Sequence, residues 1–205
     1  VGSTRGPMRV VAIGASTGGP PALQHILGRL PGTLNASLVV AQHMPERFTQ
    51  AFAERLDRAV GFHVRQAEHG DVLERGTMLL APGGRQMELV LECGQVRVNV
   101  REPESTEVYV PCINALLRSV AKVVGESALG IILTGMGRDG SEGLAEIKDA
   151  GGSTLVEAES TAVVYGMPAE AIETGRVDAV LPLDEIPGAI IDYVIAGSLP
   201  RSANR

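Results

Sequence analysis

Aromatic residues are scarce in this chain: three Phe, three Tyr and no Trp make up 3% of its 205 residues. Because aromatic side chains usually supply much of the apolar area of a core, Val, Ile, Leu and Ala must fill the core here. Hydrophobic residues still amount to 44% of the chain and charged residues to only 20%, which excludes a disordered chain. The length fits one domain.

Cysteine, basic charge and long apolar runs are also in short supply, and each shortage excludes a class of protein. Cys93 and Cys112 form no C-x-x-C pair, so we expect neither a disulfide framework nor a zinc site, and no metal or cofactor. The net charge is −6, without a basic stretch, which argues against binding to nucleic acid. No apolar run reaches the roughly 18–20 residues that span a bilayer, and no secretory signal is visible. We therefore expect a cytoplasmic protein with unpaired thiols and no membrane insertion.

Glycine, by contrast, is abundant. The chain has 25 glycines in 205 residues, about 12% against a usual level of about 7%. They show no three-residue period and no low-complexity tract, which excludes collagen and flexible linkers. They cluster at 14–19, 83–84, 135–143 and 151–152, which indicates tight turns.

Short apolar runs alternate with segments of helical periodicity along most of the chain. The run Met8–Ile13 predicts a buried strand, and Leu23, Ile26, Leu27 and Leu30 after it share one helical face. The same alternation recurs along the rest of the chain. It argues for a parallel sheet with helices on both faces.

Residues 62–100 differ, because short runs separated by Gly turns predict a β-rich insert. Within it, residues 86–100 predict an antiparallel hairpin that turns near Cys93 and Gly94. Asp184 is predicted to cap the last helix. The fold expected is α/β: a doubly wound, mostly parallel sheet with helices on both faces, plus a small antiparallel β-hairpin insert. Ligands of such sheets bind at the strand-to-helix turns beyond the carboxyl ends of the strands.

The first turn that carries a candidate catalytic residue is Gly14–Gly19, which contains G-x-S-x-G between a strand and a helix. This context is that of a nucleophile elbow, in which a tight turn pushes the Ser16 hydroxyl outward. The helix that follows can stabilise negative charge developing at the reaction centre. A plain glycine turn or a phosphate cradle remains an alternative.

The second turn carries His43, directly after the second strand. At the carboxyl end of a neighbouring strand, His43 is placed to take a proton from Ser16. The remaining histidines are predicted to be structural or merely exposed, because none ends a clear buried strand. They are His25, His63 and His69.

The third turn, Thr134–Gly140, reads literally as G-x-G-x-x-G, with Glu157 further along, which mimics a dinucleotide fingerprint. Against that, Asp139 would repel a pyrophosphate, and the motif follows a late strand rather than the first. As a carboxylate at a strand end, Asp139 can instead orient His43 and stabilise its protonated form. Ser16, His43 and Asp139 then form a triad in the order Ser, His, Asp, which differs from the α/β-hydrolase order.

Four segments carry a resemblance to a known family. IGASTGGP at 13–20, QHMP-x-x-FT-x-x-FAERL at 42–56, LTGMGRDG at 133–140 and VVYGMPAEA at 163–171 resemble the catalytic domain of the CheB family of chemotaxis methylesterases. The resemblance runs from about Arg9 to Val194. It implies a doubly wound α/β domain that removes methyl esters from chemoreceptor glutamates, releases methanol, and in many members also deamidates receptor glutamines.

Matched by motif, the resemblance makes Ser16 the nucleophile, His43 the base and Asp139 its orienter. It also implies an oxyanion site and cleft, with the Met136 backbone N–H as the oxyanion donor. The residues expected there are Thr17, Gly135, Met136 and Met167.

The implied partners are the cytoplasmic helices of methylated chemoreceptors, acted on by a monomer. Because a receptor helix rich in Glu is acidic, we expect positive groups at the cleft rim, namely Arg47, Arg138 and, more weakly, Arg55. The family's usual enzyme also carries an N-terminal receiver domain, and we expect none in this chain. The expected divisions are residues 1–8, a linker or cloning remnant; 9–198, the catalytic domain; and 199–205, a tail.

Two stretches depart from the family pattern. Residues 109–114 lack the Arg, Ser and Asp of a Y-R-P-S-V-D segment, and Gln86 stands where A-P-G-x-x-H has His. Cys112 lies in the first stretch, either partly exposed near the cleft or buried as a structural residue. These departures put the choice of substrate in doubt. They keep a catalytically altered or silent scaffold of a chemosensory-like pathway as an alternative, beside a nucleotide-binding module that uses 135–140.

Overall fold

The computed structural model describes residues 8–199, so the expected linker before residue 8 and the tail beyond residue 199 lie outside the described residues. The described chain contains nine strands: β1 Arg9–Ala15, β2 Ala36–Gln42, β3 His63–Gln66, β4 Thr77–Leu80, β5 Gln86–Glu92, β6 Gln95–Arg101, β7 Ala128–Ile132, β8 Ser153–Glu157 and β9 Ala179–Leu181. Its α-helices are α1 Gly19–Leu27, α2 Glu46–Ala59, α3 Ile113–Val124, α4 Ser141–Asp149, α5 Gly166–Glu173 and α6 Ile186–Ala196. None of these helices has the length and apolar character needed to cross a membrane.

Seven strands form one parallel sheet in the order β3-β4-β2-β1-β7-β8-β9. The central strand β1 pairs with β2 on one side and β7 on the other, so that Ile13 lies opposite Val40 and Ile131. The chain builds outward from β1 to one edge and then returns to β7, which makes the space beyond β1 and β7 a topological switch point. The predicted doubly wound sheet is confirmed.

Each face of the sheet is covered by helices. Side chains alternate along β1, so that Val11 and Ile13 belong to one buried cluster and Val10 and Ala12 to the other. Helices α1, α2 and α6 cover the first face, and α3, α4 and α5 cover the second. With few aromatics available, aliphatic side chains form most of both clusters, as composition predicted.

The insert is smaller than the sequence indicated. Strands β3 and β4 join the main sheet as parallel neighbours, with Val64 opposite Met78 and Val39 opposite Leu79. Only β5 and β6 form a separate antiparallel pair, and it turns at Cys93 and Gly94 as predicted. In the sequence, a short apolar run looks alike whether it forms a strand of the parallel sheet or of an antiparallel insert. The direction of pairing depends instead on crossover connections such as α2.

Two local predictions about helix ends were wrong. The last helix begins after Glu185 without a side-chain cap, and the Asp184 carboxylate instead lies 2.7 Å from His25 Nε2 on α1. Helix α1 ends at Leu27, although Leu30 is still buried. A tertiary contact replaced the predicted cap at Asp184. Helix α1 ends instead in a local turn, where the N–H groups of Arg29 and Leu30 donate to Ile26 O and Leu27 O.

Candidate active site

The three turns that carry the candidate catalytic residues lie at the ends of three neighbouring strands. Ser16 follows β1, His43 follows β2, and the 133–140 turn follows β7. Because β1 lies between the other two strands, all three turns open at the same edge. Backbone hydrogen bonds extend past the strands: the His43 N–H donates to Ala15 O at 3.0 Å, and the Ser16 N–H donates to Thr134 O at 3.0 Å.

The side chains of Ser16, His43 and Asp139 form a continuous hydrogen-bonded chain. His43 Nδ1 lies 3.2 Å from Ser16 Oγ, and His43 Nε2 lies 2.8 Å from Asp139 Oδ2. An ionised carboxylate can only accept, so the neutral imidazole carries its proton on Nε2. The Nδ1 lone pair then faces the serine hydroxyl, which is the arrangement that proton transfer from serine requires.

Asp139 is buried and is held as an anion at the start of α3. Its Oδ2 also accepts the Ile113 N–H at 2.7 Å, and its Oδ1 accepts the Asn114 N–H at 2.9 Å. Burial by itself would raise the pKa of Asp139, but hydrogen bonds from His43, Asn114 and Ile113 outweigh it and lower the pKa. The positive end of α3 adds to this stabilisation. The Asp139 carboxylate can therefore stabilise a protonated His43 while it keeps its hydrogen bonds to the Ile113 and Asn114 N–H groups.

The nucleophile turn depends on two glycines. Gly18 adopts a φ of 86°, which only glycine adopts at low cost, and it allows α1 to begin immediately after the turn. A Cβ at Gly19 would overlap the Gln42 side chain. The Gly19 N–H donates to Ser16 O at 2.8 Å, so Ser16 is held at the start of the helix.

Gln42 is a site residue that the sequence reasoning missed. Its side chain is 2% exposed, and its Nε2 donates to Ser16 O at 2.9 Å and to His43 O at 3.0 Å. One buried amide therefore ties the backbones of the nucleophile and the base together. The only signal in the sequence was its place directly before His43 at a strand end.

Thr134 joins the nucleophile turn to the neighbouring loop. Its Oγ1 donates to Thr17 O at 2.8 Å and accepts the Val164 N–H at 2.9 Å. The Thr134 N–H donates to the buried Glu157 carboxylate at 2.9 Å, which also accepts the Thr161 hydroxyl at 3.0 Å. Glu157, which a dinucleotide site would direct at a ribose, is thus engaged inside the protein.

The predicted oxyanion residues have different surroundings. The Gly135 N–H donates to Val164 O at 2.9 Å, so it is not available to a ligand. Among residues 8–199, the Met136 N–H donates no backbone hydrogen bond, and Met136 is 74% exposed. Met167 is buried behind Gly135 and donates its N–H to Gly135 O at 2.8 Å. Thr17 is exposed at the mouth of the site.

An open cleft of about 340 Å³ lies at the serine. The residues lining it are Ser16, Thr17, Gly18, Pro20, Gln42, His43, Met44, Pro45 and Phe48. A larger groove of about 800 Å³ between β5, α3 and α4 contains no triad residue. Its Arg101 and Arg118 are paired with glutamates of the same groove, whereas Ser16 and His43 line the smaller cleft.

The expected cationic rim is exposed and close to the turns in sequence. The Arg47 guanidinium lies 4.7 Å from the centre of the Phe48 ring, beside the cleft, and Arg138 precedes Asp139 in the third turn. Arg55 lies further along α2, over the Phe52 ring. Contact of these groups with a substrate stays a prediction.

The two parts of the chain that depart from the family pattern, Gln86 and residues 109–114, contact each other in the structure. The Tyr109 ring stacks on the His43 ring, with centroids 5.0 Å apart and planes 1° apart. Gln86 Nε2 donates to Tyr109 O at 2.9 Å, and its Oε1 accepts the Cys112 N–H at 2.7 Å. Sequence reasoning flagged both stretches as departures but had no signal for the contact between them.

Cys112 is partly buried beside Asp139. Its Sγ donates to Asp139 Oδ1 at 3.4 Å and accepts the Ala115 N–H at 3.4 Å, which caps α3. Burial and the nearby Asp139 charge raise the pKa of Cys112 to about 11. The thiol is therefore protonated at neutral pH and acts as a donor rather than as a nucleophile.

A serine–histidine–aspartate chain at the carboxyl ends of a doubly wound sheet is the arrangement of serine hydrolases. The sequence profile of the family described as CheB methylesterase matches residues 11–190. The chain therefore belongs to the CheB methylesterase family.

Relatives and a solved structure agree with this assignment. The chain is 52% identical to "Protein-glutamate methylesterase/protein-glutamine glutaminase 3" of Geobacter sulfurreducens, over 91% of this chain and 50% of that protein. It is 50% identical to enzyme 2 of the same description from Dechloromonas aromatica, over 90% of this chain and 51% of that protein. The crystal structure of the Thermotoga maritima CheB methylesterase catalytic domain superposes with a TM-score of 0.88 at 36% identity, covering 91% of this chain and 99% of that one. The chain thus spans about half the length of the curated relatives it matches.

Proposed function

We propose that this chain is a methylesterase catalytic domain that acts, as a cytoplasmic monomer, on methylated glutamates in the cytoplasmic helices of chemoreceptors. It releases methanol, and on receptor glutamines it releases ammonia. The observation that carries the proposal is the hydrogen-bonded chain from Ser16 Oγ through His43 to Asp139. The shared description of the relatives, protein-glutamate methylesterase/protein-glutamine glutaminase, supports the choice of substrate.

The first half of the reaction forms an acyl-enzyme. His43 Nδ1 takes the Ser16 proton while Oγ attacks the carbonyl carbon of the glutamyl methyl ester. The Met136 N–H and the backbone N–H groups of the nucleophile turn, at Thr17 and Gly18, stabilise the oxyanion, and Asp139 stabilises the imidazolium. The C–O bond to the methoxy group then breaks, and His43 Nδ1 returns its proton to that oxygen, so methanol leaves.

The second half hydrolyses the acyl-enzyme. His43 takes a proton from water, whose oxygen attacks the glutamyl carbonyl, and the same donors hold the second oxyanion. Ser16 Oγ leaves and recovers its proton from His43, which releases glutamate. When the substrate is glutamine, ammonia takes the place of methanol in the first half and the second half is unchanged.

The two alternatives from the sequence lack supporting observations. The carboxylates of Asp139 and Glu157 accept hydrogen bonds from interior groups, which disfavours a nucleotide at the third turn. The altered 109–114 segment contacts His43 and Asp139 through regular hydrogen bonds and stacking, which disfavours a silent scaffold.

The test compares methanol release from methylated receptor membranes by the wild type and by Ser16→Ala, together with labelling by a serine-directed fluorophosphonate. We expect the wild type to release methanol and to be labelled at Ser16. The variant should lose about 10³-fold or more in turnover. Ser160→Ala, which alters an exposed serine after β8, should behave as the wild type. Near-normal methanol release by Ser16→Ala would refute the proposal.

A further inference from the structure

One short segment contacts two of the three triad side chains. Tyr109 stacks on one face of the His43 ring. Three residues later, Cys112 caps α3, and the first N–H groups of that helix bind the Asp139 carboxylate. Residues 109–112 therefore connect the position of the base with the position of its orienter.

Gln86 holds both ends of that segment. Its side chain is fully buried, and both functional groups of its amide are used: Nε2 donates to Tyr109 O and Oε1 accepts the Cys112 N–H. Gln86 itself is fixed at the start of β5, opposite Arg101 of β6. Gln86 thus attaches the segment to the hairpin at both ends.

We propose that Gln86 is a positioning residue for the esterase reaction, acting on His43 through Tyr109 and on Asp139 through the start of α3. The inference rests on the function proposed above. Gln86 touches neither the substrate nor the reacting atoms, and its effect passes through residues 109–112.

The physical reason is that the His43 ring has few other constraints. Its backbone is held by the strand end, but rotation of the ring would break its alignment with Ser16 Oγ and Asp139 Oδ2. The flat Tyr109 ring, parallel to it within 1°, opposes that rotation. Before the stack, Glu107 accepts two hydrogen bonds from Arg101, but Val108 between Glu107 and Tyr109 is 86% exposed. Gln86 is the side chain that bonds to the backbones of residues 109 and 112 themselves.

The test uses turnover of a small soluble carboxylic ester, which needs no receptor contacts. Gln86→Met keeps the length of the side chain but removes both hydrogen bonds, whereas Gln86→His keeps one donor and one acceptor. Thr154→Val is the matched control: Thr154 is a fully buried polar residue near the amino end of β8, where its hydroxyl donates to Arg176 O. Its loss should lower stability at the end of the sheet opposite the site.

We expect Gln86→Met to lower kcat by about tenfold or more, since small displacements of a catalytic group can cost up to about 10²-fold, with KM within about twofold. Thr154→Val should lose stability without losing kcat, and Gln86→His should recover most of the rate. Should Gln86→Met fail to fold, Tyr109→Leu and Tyr109→Phe replace it, because Tyr109 is partly exposed. The Leu variant should lose kcat several-fold and the Phe variant should not.

An unchanged kcat in Gln86→Met, or in Tyr109→Leu where that variant is used, overturns the inference. A loss of kcat in Thr154→Val as large as the loss in Gln86→Met also overturns it. So does a Gln86→His variant whose kcat is no higher than that of Gln86→Met. These outcomes leave the proposed function standing, because the Ser16→Ala comparison tests it separately.

Discussion

Replacing Asp139 by Asn tests the acid–base chain at its most buried member. The carboxylate accepts from His43 Nε2 and the Ile113 N–H at one oxygen, and from the Asn114 N–H at the other. An amide has one oxygen and one NH₂ group, and NH₂ cannot accept. Whichever way the new amide is oriented, its NH₂ faces a buried backbone donor.

The magnitude follows from these contacts. A buried donor left without an acceptor costs about 1–3 kcal/mol, and a lost negative charge at a helix start costs about 0.3–2 kcal/mol. We therefore expect Asp139→Asn to lower the free energy of unfolding by about 1–5 kcal/mol. If NH₂ faces His43, the imidazole proton moves to Nδ1 and points at Ser16, so we expect turnover to fall by about 10³–10⁴-fold, as in serine protease triads.

The assays are urea unfolding and hydrolysis of a soluble ester. Asp178→Asn is the control, because Asp178 Oδ2 also accepts a backbone N–H, that of Thr154 at 2.9 Å, but at the amino end of β8. It should lose stability and keep its kcat. Turnover by Asp139→Asn within about tenfold of the wild type, under conditions where both are folded, would refute the role given to Asp139.

The same carboxylate makes a prediction about pH. Hydrogen bonding lowers the pKa of Asp139 in the folded state despite burial, which opposes it. Its contribution is therefore fully present above the unfolded value of about 3.9 and is lost as pH falls through the lower folded pKa. The stability difference between wild type and Asp139→Asn should shrink as the pH falls below about 4. A difference that grows in acid contradicts this.

Two further substitutions, one of them with a matched control, probe the nucleophile turn and the rim of the cleft. Gly19→Ala places a methyl group against Gln42 Oε1; we expect about 1–3 kcal/mol of destabilisation in urea unfolding and a lower kcat. Gly188→Ala, where a Cβ meets nothing within 4 Å, should stabilise α6 by about 0.5–1 kcal/mol, and equal stabilities of the two variants would contradict the packing argument. Arg138→Glu should lower kcat/KM on receptor membranes by about two- to fivefold, less at high salt, and leave hydrolysis of a small ester unchanged. An unchanged kcat/KM on receptor membranes would refute the predicted contact between Arg138 and the receptor.

Much of the fold could be predicted because its signals are local. A β-branched run, a glycine turn and an amphipathic helix each follow from side-chain chemistry over a few residues. The failures arose where distant residues compete. Asp184 pairs with His25 instead of capping its own helix, and β3 and β4 pair with the main sheet instead of forming an insert.

The same division holds for the candidate site. The sequence alone determined that a serine, a histidine and an aspartate follow three strands, and parallel strands bring such turns to one edge. Only the tertiary structure decided how Ser16, His43 and Asp139 are held. The amide of Gln42 joins the first two backbones, and that of Gln86 holds the segment that touches the second and third. Three of these four contacts join residues more than twenty positions apart, and their geometry depends on packing that no local pattern records.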